Sequence, residues 1–281
     1  MSFLVSALNE IYRKKDDFLF IGLTGRTGSG CSAVAKLLGS NFDIFQESIY
    51  TSLSGNNYRK NKILYKSLEK NWVRFNVIQV RSVITLILSQ EDRRKLKSFL
   101  TDFFGNDSSL KDELLSHLIK IRRIHTNVAC GKTDYVSFYE RTLPEICEKI
   151  RSALGDDKFV ALYQAIGKNL RSSGSTVIDQ ELPDKFFTLA RRVEEICKKI
   201  RDENRGNNRK TAIVVDAIRS PLEAMYFQDR YASFYLMAIS CSEAERKDRL
   251  NRLGYSPEGI ASIDKLEGTG ALLHKASPLS W

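Results

Sequence analysis

The chain has 281 residues, 44 of them basic and 34 acidic, for a formal charge of +10. That length buries a core without disulfides or structural metals, as one large α/β domain or two small ones. Five scattered cysteines without disulfide or zinc spacing suit a reduced cytoplasm and exclude a secreted cystine scaffold, and no apolar stretch approaches the roughly 20 residues of a membrane span.

Met1 to Asp17 places Leu4, Leu8 and Ile11 at helical spacing ahead of Arg13-Lys14-Lys15, without the apolar centre and cleavage site of a signal peptide. Phe18 to Leu23 reads as a buried strand and Ala33 to Leu38 as a helix. Between them runs Gly25-Arg26-Thr27-Gly28-Ser29-Gly30-Cys31-Ser32. This strand, loop and helix match a phosphate loop except that Cys31 stands where the pattern has lysine. The glycines let successive N–H groups turn inward around a phosphate, and the helix start adds its positive dipole end. Anion binding needs no lysine, whereas transfer of a γ-phosphoryl group needs its charge neutralised, a task a thiol does not perform. Residues 25–32 are therefore expected to hold a nucleoside triphosphate, ATP first, with Mg2+ reached by the Ser32 hydroxyl.

Further along, Phe42-Asp43-Ile44-Phe45 reads as a second short strand, followed by a polar stretch to Asn57. Ile63, Leu64, Leu68 and Trp72 mark a helix from about Arg59, and Phe75 to Leu88 fits either a strand or a helix. From Asp92 to Arg205 the apolar spacing is helical almost throughout, with His125 to Asp134 as a link between helical pairs. Thr211 to Asp216 is a buried-strand pattern ending in a carboxylate, Pro221 suits the opening of a helix, Phe234 to Ile239 reads as another strand, and a helix starts at Glu243.

The order predicts an α/β fold, a doubly wound parallel sheet of P-loop kinase type with a large, mostly helical insertion. Residues 1–90 and 206–255 form the expected nucleotide-binding core, 91–205 the insertion and 256–281 a divergent tail.

Asp216 ends its strand where a carboxylate faces the phosphate loop, so it is the candidate to hold magnesium or activate a hydroxyl; a helix cap or a structural ion pair would use the same position. Arg219 could grip phosphate bidentately or pair with Glu223. Arg246, Arg249 and Arg252 recur every three residues, as in a lid over triphosphate or on an ordinary charged face. Gly167 sits inside a helical pattern where close approach of another element or plain packing would explain it. His117, His125 and His274 have no metal or triad spacing. Basic residues alternate with acidic ones, as in Glu91-Asp92-Arg93-Arg94-Lys95, and no nucleic-acid motif is present, so the expected partners are a nucleotide and, through the helical insertion, a protein or a second copy, with neither nucleic acid nor membrane.

With these segments in view, the chain resembles the N-terminal P-loop, nucleotide-kinase-like domain of bacterial anti-phage deoxycytidylate deaminases, itself similar to dephospho-coenzyme A kinases. The likeness spans roughly residues 15 to 255. It rests on the loop from Gly25 to Ser32, on Gln164 to Arg171 as Gln-x-x-Gly-x-x-Leu-Arg, and on Asp216 to Glu223 as Asp-x-Ile-Arg-Asn-Pro-x-Glu with Ser220 in the asparagine position. The resemblance implies a cytoplasmic antiviral module that binds nucleotides. Deamination is not carried over, because the His-x-Glu and Pro-Cys-x-x-Cys elements of a zinc deaminase are absent from these residues. A small-molecule kinase, with Arg26 or Arg246 in place of the lysine, is the alternative reading.

Overall fold

The computed structural model describes residues 18–46, 48–105 and 107–273. The helical spacing expected within Met1 to Asp17, His274 and the end of the tail lie outside them.

Four parallel strands, β1 (Phe18–Thr24), β2 (Asn76–Gln79), β3 (Thr211–Asp216) and β4 (Phe234–Ala238), form one sheet in the order β2-β3-β1-β4. β3 is buried at all six positions, as a central strand covered on both faces must be. Helix α1 (Cys31–Leu38) carries the chain from β1 toward β2, past β3. Helix α9 (Pro221–Arg230) carries it from β3 the opposite way, past β1, to β4. Right-handed crossovers running in opposite directions put their helices on opposite faces. Accordingly, Leu19, Ile21, Leu23, Ala212 and Val214 pack with Cys31, Val34, Ala35 and Leu38 of α1. Phe18, Phe20, Ile213 and Val215 pack instead with Ala224 and Phe227 of α9 and with the helices between β2 and β3.

Those helices are α3 (Val80–Gln90), α4 (Arg93–Phe104), α5 (Ser108–Ala129), α6 (Leu143–Leu154), α7 (Asp156–Ser173) and α8 (Thr188–Gly206), preceded by α2 (Gly55–Asn71) before β2. Leu114 and Leu118 of α5, Ile146 and Ile150 of α6, Ile166 and Leu170 of α7 and Val193 and Ile196 of α8 join the sheet residues in a single buried cluster. The insertion therefore shares the core of the sheet.

One expectation changes, and two further stretches gain definite structure. Phe42–Ile44 is a turn of 3-10 helix, not a strand. The rings of Phe42 and Phe45 both meet Trp72, and a spacing of three puts them on one side of a tight helical turn, where a strand would send them to opposite faces. The ambiguous run from Phe75 to Leu88 is both things in succession, since β2 passes directly into α3. Finally, the region taken as a divergent tail contains α11 (Pro257–Leu273), which follows α10 (Glu243–Arg252). No helix among the described residues is long and apolar enough to cross a membrane.

Candidate functional site

β1 and β3 are neighbours whose outgoing connections diverge, the arrangement at which open parallel sheets bind ligands beyond the carboxyl ends of their strands. The loop Gly25 to Ser32 opens there, and the register pairing Leu23 with Asp216 puts the Asp216 carboxylate beside its first residue. Gly28 (φ 86°) and Gly30 (φ 111°) adopt the left-handed backbone that side chains resist. A bond from the Ser29 N–H to the Arg26 carbonyl (2.9 Å) closes the turn between them. The hydrogen-bond ladder of α1 opens with Val34 N–H to the Gly30 carbonyl (3.1 Å). The N–H groups of Cys31, Ser32 and Ala33 precede that ladder and stand at the positive end of the helix.

The exposed Ser32 side chain lies close enough to Asp216 to favour its ionised form. Burial raises the pKa of Asp216, an effect opposed by Ser32 and by the charges of Arg81 and Arg219. Cys31 is buried in the sheet-facing side of α1, and its Sγ lies 3.6 Å from Ser29 Oγ. Burial pushes its thiol up, so it is a neutral packing group under the loop.

Arginines supply the charge around this loop. Arg219 donates to the Gly25 carbonyl (2.8 Å), Arg246 to that of Thr27 (3.1 Å) and Arg249 to that of Gly28 (2.8 Å). Each holds a loop carbonyl outward. The three arginines at three-residue spacing part company: Arg246 is 2% exposed, Arg249 lies on the loop, and Arg252 pairs with Asp248 on the surface. Three-residue steps rotate about 60° per step around a helix, enough to give each a different surrounding. Arg246 is bound to Glu243 (2.8 Å) and Asp264 (2.8 Å), and Arg26 also reaches Glu243 (3.0 Å) and Asp264 (2.8 Å). Neither is the free cation a lysine substitute would be. Arg249 is better placed, because a Cβ on Gly30 would lie 2.9 Å from its Nη1.

The other two motifs meet behind the loop. Arg171 Nε donates to Glu223 Oε1 (2.7 Å), and the Arg219 N–H reaches Glu223 Oε2 (3.4 Å). Glu223 is 4% exposed, so Arg171 neutralises a buried carboxylate at the start of α9. The Arg219 guanidinium, relieved of Glu223, is directed to the loop and to Glu267. Gly167 admits the same Arg171, whose Nη1 would be 3.0 Å from a Cβ there.

Among the described residues no group of three or more His, Cys, Asp or Glu could hold a metal ion. Magnesium asks less, since it takes one or two protein oxygens and completes its shell with water and phosphate. Ser32 and Asp216 meet that requirement. Residues the sequence reasoning missed are Glu243, Asp264 and Glu267, which gather the arginines, and Arg81, bound to Gln79 and Glu148 at the end of β2. The i,i+3 spacing of Asp264 and Glu267 places them on a shared helix face, but of their partners Arg26 and Thr27 lie 238 and 240 residues away.

Fold and loop together define a parallel α/β protein with a glycine-rich turn at its topological switch point. No family model, curated protein or solved structure matches the chain.

The loop geometry carries a direct expectation. In Gly28→Val, the new Cβ would lie 2.9 Å from Leu250 Cγ at a φ that valine resists. Under a nucleotide-binding reading of the loop, isothermal titration should show ATP binding weakened by at least about tenfold, while far-ultraviolet circular dichroism stays native.

Proposed function

We propose that this chain is a nucleotide-binding module of the P-loop type, regulatory in character and related to the nucleotide-kinase-like domain of anti-phage deoxycytidylate deaminases. The observation that carries the reading is the placement of the strand-ending Asp216 and of Ser32 beside a glycine turn at the switch point of the sheet. The amides of Cys31, Ser32 and Ala33 would take a phosphate at the start of α1, and Ser32 and Asp216 would hold Mg2+, which neutralises phosphate charge when bound. Arg219 and Arg249 fix the loop carbonyls so that its N–H groups stay turned inward.

With Cys31 buried as a neutral thiol, the site lacks the lysine that normally follows the β and γ oxygens through transfer. Occupancy rather than turnover is therefore the output. Titration with ATP, GTP and deoxynucleoside triphosphates in magnesium should give saturable binding without product, and rapid phosphoryl transfer to a nucleotide acceptor would overturn the regulatory reading.

One observation favours a small-molecule kinase instead, namely Arg249 at the start of α1, where a cation in cis would act on a transferring phosphoryl group. Cys31→Lys separates the readings. The regulatory module should gain ATP turnover from background, on the order of tenfold or more, in a coupled ADP assay. A kinase specialised around Arg249 should lose activity it already has.

A further inference from the structure

Glu267, on α11, reaches the tip of the loop. Its Oε1 accepts the backbone N–H of Thr27 (3.0 Å), the Thr27 hydroxyl (2.6 Å) and the Arg219 guanidinium (2.9 Å). Its Oε2 is buried with no hydrogen-bond partner among the described residues, and lies 3.8 Å from Arg26 Nε. A main-chain N–H, a hydroxyl and a guanidinium converging on one anionic oxygen, with a second guanidinium beside the other oxygen, make the donor set of a phosphate site. A carboxylate fills it incompletely. One oxygen does all the accepting while the other is desolvated without a bond, which disfavours the closed arrangement.

This position is distinct from the start of α1. Thr27 lies within the turn closed by Ser29 and Arg26, whereas the amides of residues 31–33 lie after it. The loop thus offers two anion positions in sequence, and the chain's own carboxylate occupies the outer one.

Helix α11 is also built to let go there. Its first half is fastened by Ile260 and Ile263, which pack with Leu250, Tyr255 and Val160 of α7 in a small cluster apart from the main core. Further along, Asp264 and Glu267 hold it to the site by ionic contacts with Arg26, Arg246 and Arg219. An incoming phosphate competes for those contacts without disturbing the apolar anchor.

We propose that Glu267 stands in for the outermost phosphate of a nucleoside triphosphate, so that a triphosphate displaces the second half of α11 while a monophosphate binds with the helix in place. The inference rests on the nucleotide reading above and adds to it the ligand's phosphate count and the moving element.

The test compares the full chain with Glu267→Gln, which keeps the side-chain shape and removes the charge, and with Asp248→Asn, which removes a nearby acidic charge that touches Arg252 and not the loop. ATP and AMP are titrated in magnesium, and hydrogen exchange is followed over residues 257–273. Glu267→Gln should bind ATP about tenfold tighter with AMP unchanged, and ATP should speed exchange in the second half of α11 of the unmodified chain. Equal ATP affinity in the two proteins, an equal gain for AMP, or the same gain in Asp248→Asn overturns the stand-in role while leaving the nucleotide site intact. Absence of ATP and AMP binding in every protein overturns the nucleotide reading, and this inference with it.

Discussion

Arg246→Ala is expected to cost about 2–3 kcal/mol of stability and to lower Tm by roughly 5–10 °C in a reversible thermal melt. The arginine is 2% exposed and its guanidinium answers Glu243, Asp264 and the Thr27 carbonyl at once. Removing it leaves two carboxylates and a carbonyl facing an empty volume. The cost stays below that of a fully buried pair because Glu243 and Asp264 are 47% and 28% exposed and solvent screens them. Arg246→Lys should recover only part of it, since a single ammonium cannot span both carboxylates as the guanidinium fork does. The effect has a pH signature. Hydrogen bonding from Arg246, with the charges of Arg26 and Lys247, holds the Glu243 carboxyl at about 2, from an ordinary value of 4.5. A carboxyl depressed on folding contributes above its unfolded value and loses that contribution as pH falls toward the folded one. The difference in Tm between Arg246→Ala and the unmodified chain should therefore narrow below pH 4.5. A difference that stays constant down to pH 2 would show that packing of the arginine stem, not its ion pairs, is what the mutation removes.

Asp216→Asn should separate stability from binding. Burial raises the Asp216 carboxyl, so near neutral pH the folded protein carries an ion that its surroundings disfavour. A group raised on folding contributes most below its unfolded pKa and loses that contribution as pH rises through the folded one. The neutral amide avoids the loss. Asp216→Asn is expected to be more stable by about 1 kcal/mol near neutral pH, with the advantage vanishing below the ordinary aspartate value of 3.8. Under the proposed nucleotide reading, its affinity for ATP with magnesium should fall on the order of a hundredfold, because Ser32 alone is a weak anchor for the ion, while binding measured in excess EDTA changes little. Equal loss with and without magnesium would assign Asp216 to the architecture of the loop. Such a trade of stability for a buried charge is common where a carboxylate is kept for its ligand.

The loop and the strands on either side of it were legible along the chain for local reasons. Gly25, Gly28 and Gly30 at fixed offsets after an apolar run leave few conformations other than a tight turn opening a helix. The unbroken apolar pattern from Thr211 to Val215 could only be a strand covered on both faces. The edge strand was read nearly as well, Phe234–Ala238 against an expected end at Ile239. Phe42 to Phe45 was misread because short aromatic runs suit a strand and a tight turn alike. The choice fell to Tyr65 and Trp72, whose rings take Phe42 on the side that the turn presents.

The arginines show most clearly where local reading stops. Arg219, Arg246 and Arg249 were all identified from spacing, yet nothing along the chain distinguishes a buried structural cation from one lying on the loop. A guanidinium is committed by whichever carboxylate reaches it, and the reach here runs from one helical turn to most of the chain: Arg171 takes Glu223 and so releases Arg219 to Glu267, while Asp264 and Glu243 take Arg246 and Arg26.

By itself the sequence determined the parallel α/β architecture and the glycine turn, because backbone freedom and burial are decided within a few neighbouring residues. Only the tertiary structure decided that Leu23 and Asp216 share a register, that each arginine has a different partner, and that α11 lays a carboxylate on the loop. Those outcomes depend on how distant segments cross the sheet and on which charges meet once they do, and Coulomb attraction between side chains leaves no periodic trace in the order of residues.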